Sequence, residues 1–252
     1  MSASPTSWIV LAFEGFVIAH ILAGSVGLVS FWIPIASRKG SLSHRQWGRL
    51  FTRAMLLTGT AAIGISTCTL LDPVNTHPHI ANAQWTVGIF GWMMQGLALL
   101  TINLAWYGHS CLANKADHRR NLEWRNLTLQ ILLLLTSIHC AWQSVRIGEP
   151  VMLGMPAIGL ATVATNLAFM LKRSPGPMDW LKEHIKALVG AGISVYTAFF
   201  AFGAVRTIPT LALHPALWSI PLIVGLSLII YHRLQVDRQT AKLATSSRAL
   251  GR

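Results

Sequence analysis

The sequence predicts an all-α fold: a polytopic membrane helix bundle with seven transmembrane helices, its N-terminus outside and its C-terminus cytoplasmic. Three observations predict it. The 252 residues are 53% hydrophobic and 11% charged, with a mean hydropathy of +0.51. A soluble domain carries about 25% charged residues, so this chain lacks the charge to cover a water-facing surface. Seven apolar runs approach the roughly 20 residues that cross a bilayer as a helix. Finally, 18 of the 20 Lys and Arg fall in alternate connections, and positive charge marks the cytoplasmic side.

The seven runs are Trp8–Ala36, Leu50–Leu71, Thr86–Tyr107, Leu127–Val145, Val151–Leu171, His184–Val205 and Pro215–Tyr231. Residues 1–232 form one transmembrane domain, and 233–252 a basic, flexible cytoplasmic tail. Met1 to Ser7 hold no Lys or Arg. The run that follows is too long for a signal-peptide core, so the first helix is expected to remain. The basic residues follow the first, third, fifth and seventh runs. Only Arg146 and Arg206 lie on the other side. A formal charge of +12 arranged in this way is a topology signal rather than a nucleic-acid footprint. Trp8, Trp85, Trp142 and Trp218 fall at outer ends; Trp32, Trp106, Trp124 and Trp180 fall at inner ends. Trp92 departs from these belts.

Ionisable groups inside a membrane are costly and are functional candidates for that reason. Glu14 and His20 lie in the first helix and His139 in the fourth, with Gln95, Asn103 and Gln143 as neutral polar groups. From the rise of a helix, Glu14 sits ~9 Å from the outer end, His139 ~10 Å, Gln95 ~15 Å and His20 ~18 Å. Thr136, His139, Gln143 and Arg146 follow at spacings that share one helix face. An outward-opening polar cavity lined by the first, third and fourth helices accounts for them. Satisfied contacts also account for them, with Glu14 paired to Arg146 or Arg206 and His139 bonded to a carbonyl. Gly15, Ala19, Ala23 and Gly27 form a small-residue strip for close helix packing. His20 shares a face with Gly24, which suits either a flat cofactor or a tight helix contact.

On the cytoplasmic side, His44, Arg45, Arg49, His184 and His232 could meet an anionic lipid headgroup or a metal. His77-Pro78-His79 is a fragment of a metal site without a third ligand. Cys68, Cys111 and Cys140 follow no spacing motif, and an outer disulfide would pair Cys68 with Cys140.

The stretch His20-Ile-Leu-Ala-Gly24, then Arg38-Lys39-Gly40, then His44-Arg45-Gln46-Trp47-Gly48-Arg49 has the cadence of a known family. It resembles a family of bacterial multi-pass membrane proteins classed as a domain of unknown function, with H-x3-G in the first helix and H-R-x-x-G-R before the second. The stretch Trp180 to Gly203, with His184, Thr197, Ala198 and Phe199, is similar to a late helix of that family. The resemblance covers about a third of the chain. It implies a polytopic fold in the bacterial cytoplasmic membrane and weight on His20, His44, Arg45, Gly48, Arg49 and His184. It implies no activity.

The leading expectation is a binding or redox protein holding a quinone or haem b between the first, third, fourth and sixth helices. His20 would be its central contact, His139 and Gln143 its entrance, and Gly24, Gln95 and His184 further contacts. Its partners would be the bilayer, anionic headgroups, and a second copy or other membrane subunits. The alternatives are a proton-coupled transporter using Glu14 and His139, a hydrolase with a metal on His44, His184 and His232, and a membrane scaffold. No nucleophile elbow, phosphate-binding loop or His-Glu-x-x-His helix is present to favour a familiar enzyme.

Overall fold

A computed structural model describes residues 8–203 and 214–250 of the chain. The described residues contain helices and no strand. Six helices are long and apolar enough to cross a membrane: α1 (Trp8–Ala36), α2 (Leu42–Leu71), α3 (Ala83–Ala113), α4 (Trp124–Ile147), α6 (Asp179–Ala201) and α7, whose apolar part is Pro215–Lys242. The helix between them, α5 (Gly154–Met170), has 17 residues and falls short of that length. Among the described residues the count of long spans is therefore six, against an expectation of seven.

Five of the seven expected apolar runs lie within these helices; Trp8–Ala36 matches α1 at both ends, Leu71 and Pro215 match as the end of α2 and the start of α7, and the other ends of those five differ by a few residues or more. The fifth and sixth runs reach beyond the helices, and the expected end of the sixth, Val205, lies outside the described residues. α2 begins at Leu42 rather than Leu50, because Ser41 accepts a hydrogen bond from the His44 backbone N–H at 3.2 Å and caps the helix there. His44, Arg45 and Arg49 are therefore helical residues. α7 continues through Tyr231 to Leu250. α4 ends at Gly148, whose φ of 75° is the left-handed turn that glycine adopts freely.

α3 stands at the centre, packed on α2, α4, α5 and α6, while α6 also carries α7. α1 lies mainly along α2, which separates it from α3 and α4. Gly24 and Gly27 make that contact. A Cβ on Gly24 would sit 3.7 Å from Thr58 Cγ2, and one on Gly27 would collide with the Met55 side chain. A Cβ on Gly15, by contrast, would meet nothing within 4 Å among the described residues. Ala19 and Ala23 line an open apolar groove with Phe16, Leu57, Thr60 and Ala61. Of the strip, Gly27 alone is in the packing seam, which it shares with Gly24; Ala19 and Ala23 lie on the groove and Gly15 on neither.

α4 has an unusual face. Its buried residues are Asn126, Gln130, Leu133, Ser137, Cys140, Gln143 and Ser144, while Ile131, Leu132, Leu135 and Ile138 are exposed. In water such a helix would be inside out; in lipid it is the expected arrangement for a helix carrying polar groups.

Candidate functional site

The sequence-derived candidates fall into three places. The first is the contact of α3 with α4. Residues Val87–Met93 of α3 form a π-helical turn, a feature common where a helix is reshaped for a site. It presents the Trp92 carbonyl to the Cys140 thiol, which donates to it at 3.1 Å. The Trp92 ring lies against the His139 imidazole, with centroids 4.2 Å apart and planes at 60°. Trp142 flanks the same imidazole at 5.4 Å. Gln143 Nε2 lies 3.2 Å from His139 Nε2. When the amide donates, the imidazole proton sits on Nδ1, free to donate elsewhere. Arg146 lies over the Trp142 ring at 4.7 Å, a cation–π contact. His139, Gln143 and Arg146 therefore do share one corner of the molecule, and Trp92 and Trp142 complete it. One turn from Trp92, Gln95 is instead hydrogen-bonded to Ser66 of α2.

The second place is the α1–α2 contact. His20 Nδ1 lies 3.0 Å from the Thr58 carbonyl oxygen, with Gly24 beside the same threonine. This histidine ties two helices together. Glu14 is exposed on α1 and has no ion pair among the described residues. Its expected partner Arg146 is on Trp142, and Arg206 lies outside the described residues. A cavity bounded jointly by α1, α3 and α4 is not formed, because α2 separates them. His20 and His139 accordingly face different neighbours and do not fit a bis-histidine haem.

The third place is the basic end of the bundle. His44 Nδ1 lies 3.0 Å from the Pro34 carbonyl and His184 Nδ1 2.8 Å from the Gly108 carbonyl. Arg45 and Arg49 are exposed. Lys39 closes the end of α1 by donating to the Pro34 and Ile35 carbonyls at 2.9 and 2.8 Å, and burial lowers its pKa. Among the described residues no group of three His, Cys, Asp or Glu side chains is placed to hold a metal. The three cysteines are free and buried. His77 sits between Phe13 and Phe90, at ring distances of 5.4 and 4.6 Å, in an aromatic rather than a ligating setting.

Two groupings escaped the sequence reading. Glu183 is 7% exposed and meets Lys186, accepts from the Tyr107 hydroxyl at 3.1 Å, and lies 3.9 Å from Arg233. Their signal was an i, i+3 charge pair, Glu183 and Lys186, in the charged first part of α6 after Asp179 and Lys182. Asn166 of α5 donates to Asn103 of α3 at 3.1 Å and to Gln130 of α4 at 3.4 Å. All three amides are essentially fully buried.

Comparison with family models, with curated proteins and with solved structures finds no match for this chain.

Proposed function

We propose that this chain is a seven-crossing protein of the bacterial cytoplasmic membrane, N-terminus outside, that binds a flat lipid-soluble ligand of the quinone class at the Trp92–His139–Trp142 corner. The observation that carries the reading is the imidazole of His139, set against two indoles with Gln143 as its one hydrogen-bonding partner among the described residues. Indole faces stack on a quinone ring. An imidazole N–H donates to its carbonyl oxygen, as does Arg146 at the rim. The corner is reached from the lipid side, where Trp142 is 51% exposed.

The seven crossings rest on α5. Its 17 residues span ~26 Å. The 3-10 turn Pro150–Leu153 runs directly into it and adds ~8 Å at its steeper rise. Together they exceed a hydrocarbon core of ~30 Å. With seven crossings the alternation of basic segments puts the C-terminus inside.

The test is quenching of tryptophan fluorescence on titrating a water-soluble short-chain quinone into purified protein. His139→Ala should weaken binding at least tenfold, and Trp92→Phe should reduce the quench. Equal affinity in His139→Ala would defeat the assignment.

A further inference from the structure

We infer that the seam between α3, α4 and α5 is hydrated, with ordered waters held inside the bundle at two levels. The inference is independent of the ligand at His139. It starts from polar atoms that have no partner among the described residues: Asn103 Nδ2, Asn126 Oδ1, Ser137 Oγ and Asn166 Oδ1, all buried. Asn103, Ser137 and Asn166 are 0% exposed and Asn126 is 3% exposed. All four face the same seam, because Asn126 and Ser137 lie on the buried face of α4 while Asn166 meets Gln130 on that face and holds Asn103 beside it.

The amide pair is informative whichever way the amides are drawn. As placed, Asn166 donates to Asn103, leaving one amide nitrogen and one carbonyl oxygen over. Exchanging nitrogen and oxygen on both residues, and on Gln130 to keep its bond to Asn166, again leaves one of each on the pair. A leftover donor and a leftover acceptor on one hydrogen-bonded pair need a molecule that both donates and accepts. In hydrocarbon an unmatched amide is strongly disfavoured, and bound water is the usual remedy in a polar site. Ser137 repeats the situation two turns along α4. There Gly159 of α5 faces the hydroxyl so closely that a Cβ would collide with Oγ. Glycine keeps that hydroxyl from being covered by a side chain.

Leu133, 0% exposed, lies between Gln130 and Ser137 on the same face. It divides the waters into an inner set at Asn126, Asn103 and Asn166 and an outer one at Ser137. The arrangement is a polar path along a membrane helix, interrupted by one leucine.

Radiolytic hydroxyl-radical labelling of the protein in nanodiscs tests this, because radicals form from ordered water in place. Cys140, one turn from Ser137, and Met170, one turn from Asn166, are 0% and 1% exposed. Met55, 0% exposed in the α1–α2 contact, is the control. Cys140 and Met170 should be oxidised at least tenfold faster than Met55. Protection equal to that of Met55 overturns the inference. Ser137→Ala should lower labelling of Cys140 at least threefold and leave Met170 unchanged. An unchanged Cys140 rate overturns the outer water, and an equal fall at both sites overturns the division at Leu133.

Discussion

His20 and His139 are both histidines on apolar helices, yet the protein treats them differently. His20 is spent on architecture: its Nδ1 reaches the Thr58 carbonyl across a contact that glycines make close. His44 and His184 repeat the device with the Pro34 and Gly108 carbonyls. Among the described residues His139 reaches no backbone carbonyl; its neighbours there are two indoles and an amide. The α1–α2 contact is packed through small residues, whereas the buried face of α4 carries Asn126, Gln130, Ser137 and Gln143 with Leu133 among them. A buried histidine becomes a candidate for ligand chemistry when the fold has not already used its ring nitrogen.

The comparison can be broken from either side. The largest effect belongs to the α1–α2 contact. Gly27→Leu drives a side chain into Met55 and should cost about 1–3 kcal/mol, read as a lowered Tm in detergent. A Tm equal to that of the parent would show that α1 does not rest on α2 as described. Next comes the α3–α4 contact. His139→Phe keeps the ring stack and removes the donor, so quinone affinity should fall at least tenfold, about 1.4 kcal/mol, with Tm nearly unchanged. The reverse pattern, stable affinity with a lower Tm, would make His139 a structural residue like His20. A smaller effect follows from His20→Phe. The Thr58 carbonyl loses one bond, a cost of about 0.5–1.5 kcal/mol, while quinone affinity stays at the parent value. Lost affinity there would erase the distinction between the two histidines.

The helical membrane character was legible because two strong signals, long apolar runs and alternating basic segments, do not depend on which residues touch. Contacts were not legible in the same way. α4 reads as a leucine run through Leu132 to Leu135, and only its period separates exposed leucines from the buried Asn126, Gln130 and Ser137. Those three were visible at spacings of four and seven, but a minority of polar residues in a long apolar segment is easily read as noise. Trp92 carried a signal of its own, as the one tryptophan away from the belts. The π-helical turn that places it had none, because widening a helix by one residue is decided by what the turn packs against. The small-residue strip held only at Gly27 for a related reason. Spacing says which residues share a face, not whether a helix lies on that face, and among the described residues Gly15 has no neighbour where Gly27 has Met55.

The smallest expected effect concerns His77, at the end of the turn Pro73–Thr76. Its ring is packed between Phe13 and Phe90, and burial lowers its pKa below the ordinary 6.5. The protonated form is thus disfavoured in the folded protein. Above pH 6.5 the ring is neutral in both states, and the group contributes nothing that varies with pH. As pH falls below that value the unfolded chain takes up the proton first, so stability declines until the folded-state pKa is passed. Tm should therefore fall modestly on acidification from pH 6.5, and His77→Phe, which keeps the aromatic packing, should remove that part of the slope. Identical slopes for the parent and His77→Phe would show that the ring is not held between Phe13 and Phe90, and that the loop joining α2 to α3 is not anchored on α1.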